Sequence, residues 1–237
     1  MIQISNKIFC KEFLTQLDIE TKILPNPYYD YPYMIIKNFL SKKICDEITT
    51  STQKKDDAID AKVRKKSILI KEENLNKKIR NTKIHKLSPF YEKIYLKNFA
   101  KHQKDIEEFF SLPLTTSTKI QTLEYTKGSF YKAHSDDSNV LLKDDELVGF
   151  IPVAPQRKIT SVLFTTSHNK EKTKNSFQGG ELVFNYLYDQ EGKQIRLEPQ
   201  AGDMIVFLSN PYFTHEVLEV KDGYRLSLVQ WHDGIIN

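Results

Sequence analysis

From Thr118 to the C-terminus the chain reads as a series of short apolar runs, each closed by turn residues. The runs fall at residues 118–125, 130–134, 159–166, 181–187, 194–197, 203–208, 214–220 and 223–231. Eight short strands punctuated in this way fit a double-sheet jelly roll better than an open sheet. The expected fold is therefore α+β and mainly β: a double-stranded β-helix (jelly roll, cupin-like) core with N-terminal supporting helices. Residues 118–237 would form the core, 32–117 the helical support of the same domain, and 1–31 an N-terminal extension.

Upstream, the signals are helical. Ser41 stands ready to cap a helix over about 42–52. Ser88–Pro89 marks a second helix start, with Phe90, Ile94 and Phe99 near helical spacing. A further short helix is expected over 105–110, ended by Pro113. Residues 33–40 read as a strand, 54–60 as a charged loop and 62–70 as a strand after a basic turn. Residues 137–157, with Gly149, Pro152 and Pro155, read as a long loop directly after a candidate site, and long loops in compact domains are often lids.

The chemistry concentrates in two stretches. His134 and Asp136 are two residues apart, so on a strand they share a face. His215 lies at the end of another apolar run. Two imidazoles and one carboxylate form the facial ligand set of non-haem Fe(II) oxygenases, which leaves open coordination positions. A His-x-Asp pair alone is a weak signal, and a capping or surface pair is the plain alternative. His215 taken alone could be a satisfied core histidine. Zinc also accepts two His and a carboxylate.

Ten residues past His215, Arg225 opens an alternating strand in which Arg225, Ser227 and Val229 share one face. A guanidinium on a barrel-lining face needs a buried partner, and a ligand carboxylate gripped by its fork is one. Tyr125 and Tyr131 are either core aromatics or hydroxyl donors to a bound co-substrate. Gly179–Gly180 reads as a turn.

Composition narrows the alternatives. The net charge of +4 over 237 residues is too mild to imply nucleic-acid binding. Two cysteines, Cys10 and Cys45, make a disulfide scaffold unlikely and a cytoplasmic location the expectation. No apolar run is long enough to span a membrane, and the first residues lack a secretory apolar region.

The ordered set of motifs resembles the iron(II)/2-oxoglutarate dioxygenases of the prolyl 4-hydroxylase type, including bacterial peptidyl-hydroxylase-like members. The matching residues are Tyr125, Gly128, Tyr131, His134 and Asp136, then Gly179–Gly180–Glu181, Pro199, Gly202–Asp203, His215, Arg225 and Trp231. Residues 35–45, with Val63–Arg64 and Ser67, are similar to that family's N-terminal part. The resemblance implies that His134, Asp136 and His215 bind Fe(II) and that Arg225 binds the distal carboxylate of 2-oxoglutarate. It implies O2 as oxidant, with ascorbate as a further candidate ligand, and hydroxylation of a prolyl residue in a peptide or protein with release of succinate and CO2. The family's co-substrate Tyr has no counterpart in residues 159–165, so Tyr125, Thr160 or Ser227 would stand in for it. Alternatives are a small-molecule or free amino acid hydroxylase of the same fold, and a non-catalytic binding module retaining the barrel.

Overall fold

The computed structural model describes residues 1–17, 23–61, 63–66, 71–74, 78–143, 146–169, 171 and 173–235. Two antiparallel sheets make the core. The larger runs, in spatial order, Met34–Ile36, Met204–Leu208, Ile159–Phe164, Arg225–Gly234, Gln121–Tyr125, Lys83–His85 and Ile59–Asp60, with Leu114–Ser117 pairing the far end of Arg225–Gly234. The smaller runs Ile2–Gln3, Phe9–Cys10, Leu182–Tyr188, His215–Val217, Phe130–His134 and Arg80–Asn81, with Gln194–Leu197 beside Leu182–Tyr188. The expected jelly roll is present, and each of the eight expected runs contains a strand.

Burial explains the composition of the strands. Met204–Leu208 and Ile159–Phe164 are buried at every position. Such strands are covered on both faces and read as continuous apolar runs. The inner face looks into the site, and the outer face is covered by two helices. Lys42–Gln53 starts where Ser41 accepts the Ile44 N–H, and its Thr49 hydroxyl reaches Thr165 at 3.0 Å. Pro89–Phe110 turns Tyr95, Phe99, Ile106 and Phe110 inward, with the Tyr95 hydroxyl 3.1 Å from Ser161 Oγ. His232 is part of this outer packing. Its ring stacks on Phe99 at 4.4 Å, and its nitrogens meet Ser117 and Ser161 at 2.7 and 2.9 Å.

Several expectations are corrected. The two helices expected over 88–110 are one 22-residue helix, because residues 100–104 contain no breaker and mostly good helix formers. It ends at Ser111, whose left-handed backbone (φ 51°) caps it two residues before Pro113. Ile59–Asp60, expected in a loop, is an edge strand against Lys83–His85. The stretch expected as a long loop is a β-hairpin, Ser138–Lys143 against Glu146–Pro152. Its strands pair Val140 with Phe150 and Asn139 with Ile151, cross-strand contacts that outweigh the turn-forming glycine and prolines. Of the strand expected over 62–70, Val63–Lys66 is a strand and residues 62 and 67–70 lie outside the described residues. Among the described residues no helix is long and apolar enough to cross a membrane.

Candidate active site

His134 ends the strand Phe130–His134 and His215 begins His215–Val217. The two are direct partners across the antiparallel ladder, so register alone sets their side chains together. Their rings lie 4.3 Å apart. Asp136 follows two residues later, where the backbone N–H groups of Asp136 and Asp137 both donate to the Ser209 carbonyl and turn the chain. The ligand atoms of His134, Asp136 and His215 all lie within 4.8 Å of one another. His134 Nε2 is 3.8 Å from Asp136 Oδ1, and His215 Nε2 is 3.9 Å from Oδ2.

The hydrogen bonds around the triad fix what each group offers. His134 Nδ1 meets the Lys132 carbonyl at 2.9 Å, and His215 Nδ1 meets the Phe213 carbonyl at 2.9 Å. A carbonyl only accepts, so both Nδ1 atoms carry a proton and both Nε2 atoms face the carboxylate. Burial, and then the neighbouring His215, push His134 down to about 3, which keeps its ring neutral. Burial alone would push the Asp136 carboxyl up. The facing imidazoles, the Thr160 hydroxyl and Arg157 outweigh it and hold Asp136 below the ordinary carboxylate range.

Thr160 Oγ1 donates to Asp136 Oδ2 at 2.7 Å and lies 2.8 Å from Ser209 Oγ. The Thr160 proton is committed to the carboxylate, so Ser209 donates to Thr160. Arg157 Nη1 donates to the Asp136 backbone carbonyl at 3.0 Å while its guanidinium stacks on Trp231 at 3.9 Å. Two imidazole nitrogens and one carboxylate gathered within 4.8 Å suit a divalent metal.

The triad opens into a cavity of about 730 Å³ between the sheets. Alternation along Arg225–Gly234 turns Arg225, Ser227, Val229 and Trp231 into it. Arg225 is only 1 % exposed. Its Nε donates to the Gly180 carbonyl at 3.0 Å and its Nη1 to Ser227 Oγ at 3.2 Å. The guanidinium lies 4.6 Å from the Tyr125 ring centre, a cation–π contact. Tyr125 and Arg225 are cross-strand partners, which explains the contact. Gly180 has φ +63°, and a Cβ there would lie 3.2 Å from Arg225 Cδ and 2.8 Å from Val220 Cγ2, so the glycine makes room for the arginine. Among the described residues no carboxylate pairs with Arg225.

Every sequence-predicted site residue lines this cavity: His134, Asp136, His215, Arg225, Tyr125, Ser227 and Thr160. They sort into two groups. Thr160 joins the triad through Asp136, and Tyr125 and Ser227 join Arg225. Sequence reasoning missed Arg80, Arg157 and the backing role of Ser209. Arg157 follows a proline-rich stretch and Arg80 sits on a two-residue strand, so neither carries a periodic signal.

Comparisons with known proteins fit this geometry. Residues 120–233 match the family model described as the 2OG-Fe(II) oxygenase superfamily. No curated protein matches the chain. Among solved structures, a Pseudomonas putida prolyl-4-hydroxylase superposes with a TM-score of 0.58 at 22% identity, covering 85% of this chain and 91% of that one. A viral collagen prolyl hydroxylase from Paramecium Bursaria Chlorella virus-1 gives 0.54 at 20% identity, covering 86% and 96%. A prolyl hydroxylase from Trichoplax adhaerens, in complex with a hypoxia inducible factor peptide fragment, gives 0.60 at 18% identity, covering 85% and 83%. At these identities the likeness to the solved structures is one of fold. The matched segment holds the whole His134–Asp136–His215 cluster and Arg225, so the part of the chain that matches the 2OG-Fe(II) oxygenase model is the part that builds the cavity, and the match and the cluster together support a 2-oxoglutarate-dependent dioxygenase.

Proposed function

We propose that the protein hydroxylates an unactivated C–H of a prolyl residue in a peptide or protein substrate, with Fe(II) held by His134, Asp136 and His215. The observation that carries this reading is the convergence of two Nε2 atoms and a carboxylate within 4.8 Å at the floor of a large cavity. When bound, iron and 2-oxoglutarate would activate O2, the oxidant, so that one of its oxygen atoms enters the substrate C–H and the other enters succinate as CO2 leaves.

The chain's own residues supply position and electrostatics. Lys132 and Phe213 carbonyls fix the tautomers of the two histidines. Thr160 holds one oxygen of Asp136 and leaves Oδ1 for the metal. Arg225 would grip the distal carboxylate of 2-oxoglutarate, with the Tyr125 ring face and the Ser227 hydroxyl holding the guanidinium in place. The buried site favours this contact, since a guanidinium without an acidic partner is costly in a low dielectric. The prolyl substrate is supported by the prolyl hydroxylases among the structural neighbours, one of which holds a peptide.

The test is succinate formation with Fe(II), 2-oxoglutarate and ascorbate added as reductant. Parent protein should form succinate, and His134→Ala and His215→Ala should not. Mass spectrometry of lysate peptides and metabolites, parent against His134→Ala, should show a 16 Da addition on a peptidyl proline. That mass on free metabolites alone would refute the peptide reading, and no succinate from the parent under any substrate mixture would refute the enzyme reading.

A further inference from the structure

We propose that Arg80 is a second anion-binding residue of the cavity and that the substrate carries a carboxylate close to the oxidised carbon. The inference rests on the proposed hydroxylase reading and narrows its substrate to an acidic one, in the first place a peptide with an acidic residue beside the target proline.

Arg80 is 8 % exposed and lines the cavity. Its position is set by the ladder: the strand Arg80–Asn81 pairs with Phe130–His134, and Arg80 is the direct partner of Tyr131. Its guanidinium lies 4.5 Å from the Tyr131 ring centre, and that ring stacks on His134 at 3.6 Å with an interplanar angle of 16°. The result is a three-layer stack of guanidinium, phenol and imidazole beside the metal cluster.

Stacking satisfies the face of the guanidinium but not its in-plane donors. Arginine carries five N–H groups and no acceptor. Arg80 Nε is buried and has no hydrogen-bond partner. Among the described residues no carboxylate pairs with Arg80. Of the two carboxylates lining the cavity, Asp136 belongs to the triad, and Asp60 is exposed at the rim. Arg225 offers the contrast, with its Nε on the Gly180 carbonyl and Nη1 on Ser227. A buried charged donor left unmade costs more than the roughly 1–3 kcal/mol of a neutral one, so the arrangement is complete only with an anion in the cavity.

Distance limits where that anion sits on the substrate. Two stacked layers, of 4.5 and 3.6 Å, separate the guanidinium from the His134 ring. Consecutive Cα atoms of a peptide are about 3.8 Å apart, so one step along the chain together with the reach of an acidic side chain spans the gap. A free carboxylic acid of a few carbons would do so as well.

The experiment uses the full chain with Mn(II) in place of iron, without oxygen and with saturating 2-oxoglutarate. Calorimetry compares blocked tripeptides in acid and amide pairs: Gly-Pro-Asp against Gly-Pro-Asn, and Asp-Pro-Gly against Asn-Pro-Gly. A parallel arm compares N-acetylproline with its amide. In the same samples, the arginine Nε–H resonance that vanishes in Arg80→Gln is followed by NMR. We expect an acid to bind roughly 10- to 150-fold tighter than its amide twin, the range of a hydrogen bond to a charged group. Arg80→Lys should keep part of that ratio, Arg80→Gln should collapse it, and the Nε–H signal should move only with the acid. A preference confined to the free acid keeps the Arg80 site and refutes the peptide substrate. An Nε–H signal unmoved by every acid, or an acid preference intact in Arg80→Gln, overturns the proposal.

Discussion

Thr160→Val replaces a hydroxyl with a methyl at nearly constant volume and removes the donor that holds Asp136. In the structure Thr160 Oγ1 donates to Asp136 Oδ2 at 2.7 Å, and Ser209 Oγ lies 2.8 Å behind it. The three groups form a chain in which Ser209 donates to Thr160 and Thr160 to the carboxylate. Thr160 is fully buried, so water cannot replace the lost donor. A hydrogen bond to a charged group contributes about 1.5–3 kcal/mol. Loss of a partner behind a metal ligand typically costs about 10- to 100-fold in metal affinity. We expect Thr160→Val to weaken Fe(II) or Mn(II) binding by about that factor, measured by anaerobic competition titration with 2-oxoglutarate present. Thr160→Ser keeps the hydroxyl and should recover most of the loss. Ser209→Ala removes only the outer donor and should weaken binding a few-fold. Metal affinity of Thr160→Val within about threefold of the parent would refute the view that the second oxygen of Asp136 needs this anchor.

The remaining predictions concern the arginine pocket and the core. Arg225→Lys should raise the 2-oxoglutarate concentration needed for half-maximal turnover while metal affinity persists, because a point charge cannot form the fork; Arg225→Ala should lose roughly 10- to 150-fold in 2-oxoglutarate affinity by calorimetry. Gly180→Ala should reproduce part of that loss without touching the guanidinium chemistry, since its Cβ would crowd Val220 and Arg225 and sit at φ +63°; unchanged 2-oxoglutarate affinity would count against the packing argument. His232 is pushed down to about 3 by burial. A depressed histidine binds its proton more readily when unfolded, so its contribution is full above about pH 6.5 and is lost as pH falls toward 3. Urea titrations between pH 6 and 4 should show stability falling by about 1.4 kcal/mol per pH unit from this group, and His232→Gln should flatten the slope by that amount.

The fold and the triad were legible for a common reason. Strands buried on both faces, such as Met204–Leu208, must be continuously apolar, and the turns between them must carry Gly, Pro, Asn and Asp. His134, Asp136 and Arg225 stand out because polar groups interrupt that pattern where it should be apolar. The hairpin at Ser138–Pro152 was hidden because its apolar residues lie on both sides, with Val140, Leu142 and Val148 exposed, so no alternation marks it. The division of labour among Thr160, Tyr125 and Ser227 was hidden for a different reason. All three are polar residues turned inward, and only cross-strand register decides that Thr160 meets Asp136 while Ser227 and Tyr125 meet Arg225. Arg80 was invisible because its strand has two residues and its burial comes from a partner strand 50 residues away in sequence.

The charge balance of the cavity links these observations. Burial holds His134 neutral, and in both histidines the Nδ1 proton is committed to a backbone carbonyl, which leaves Nε2 to face the metal position. A divalent metal and the Arg225 guanidinium on one side would be matched by the Asp136 carboxylate and a dianionic 2-oxo acid on the other. Those four charges cancel, and the centre with its co-substrate is neutral as a unit. Arg80 stands outside that cancellation. It faces the same cavity, its Nε meets no acceptor, and its guanidinium is held in place by Tyr131 rather than by an acid. In a low-dielectric cavity an uncompensated guanidinium draws an anion from whatever next enters. After metal and 2-oxoglutarate, what next enters is the substrate. Neutralising Arg80 should therefore leave metal and 2-oxoglutarate affinity nearly unchanged and act on the choice of substrate. A change in 2-oxoglutarate affinity in Arg80→Gln as large as in Arg225→Ala would show instead that the two cations serve one ligand.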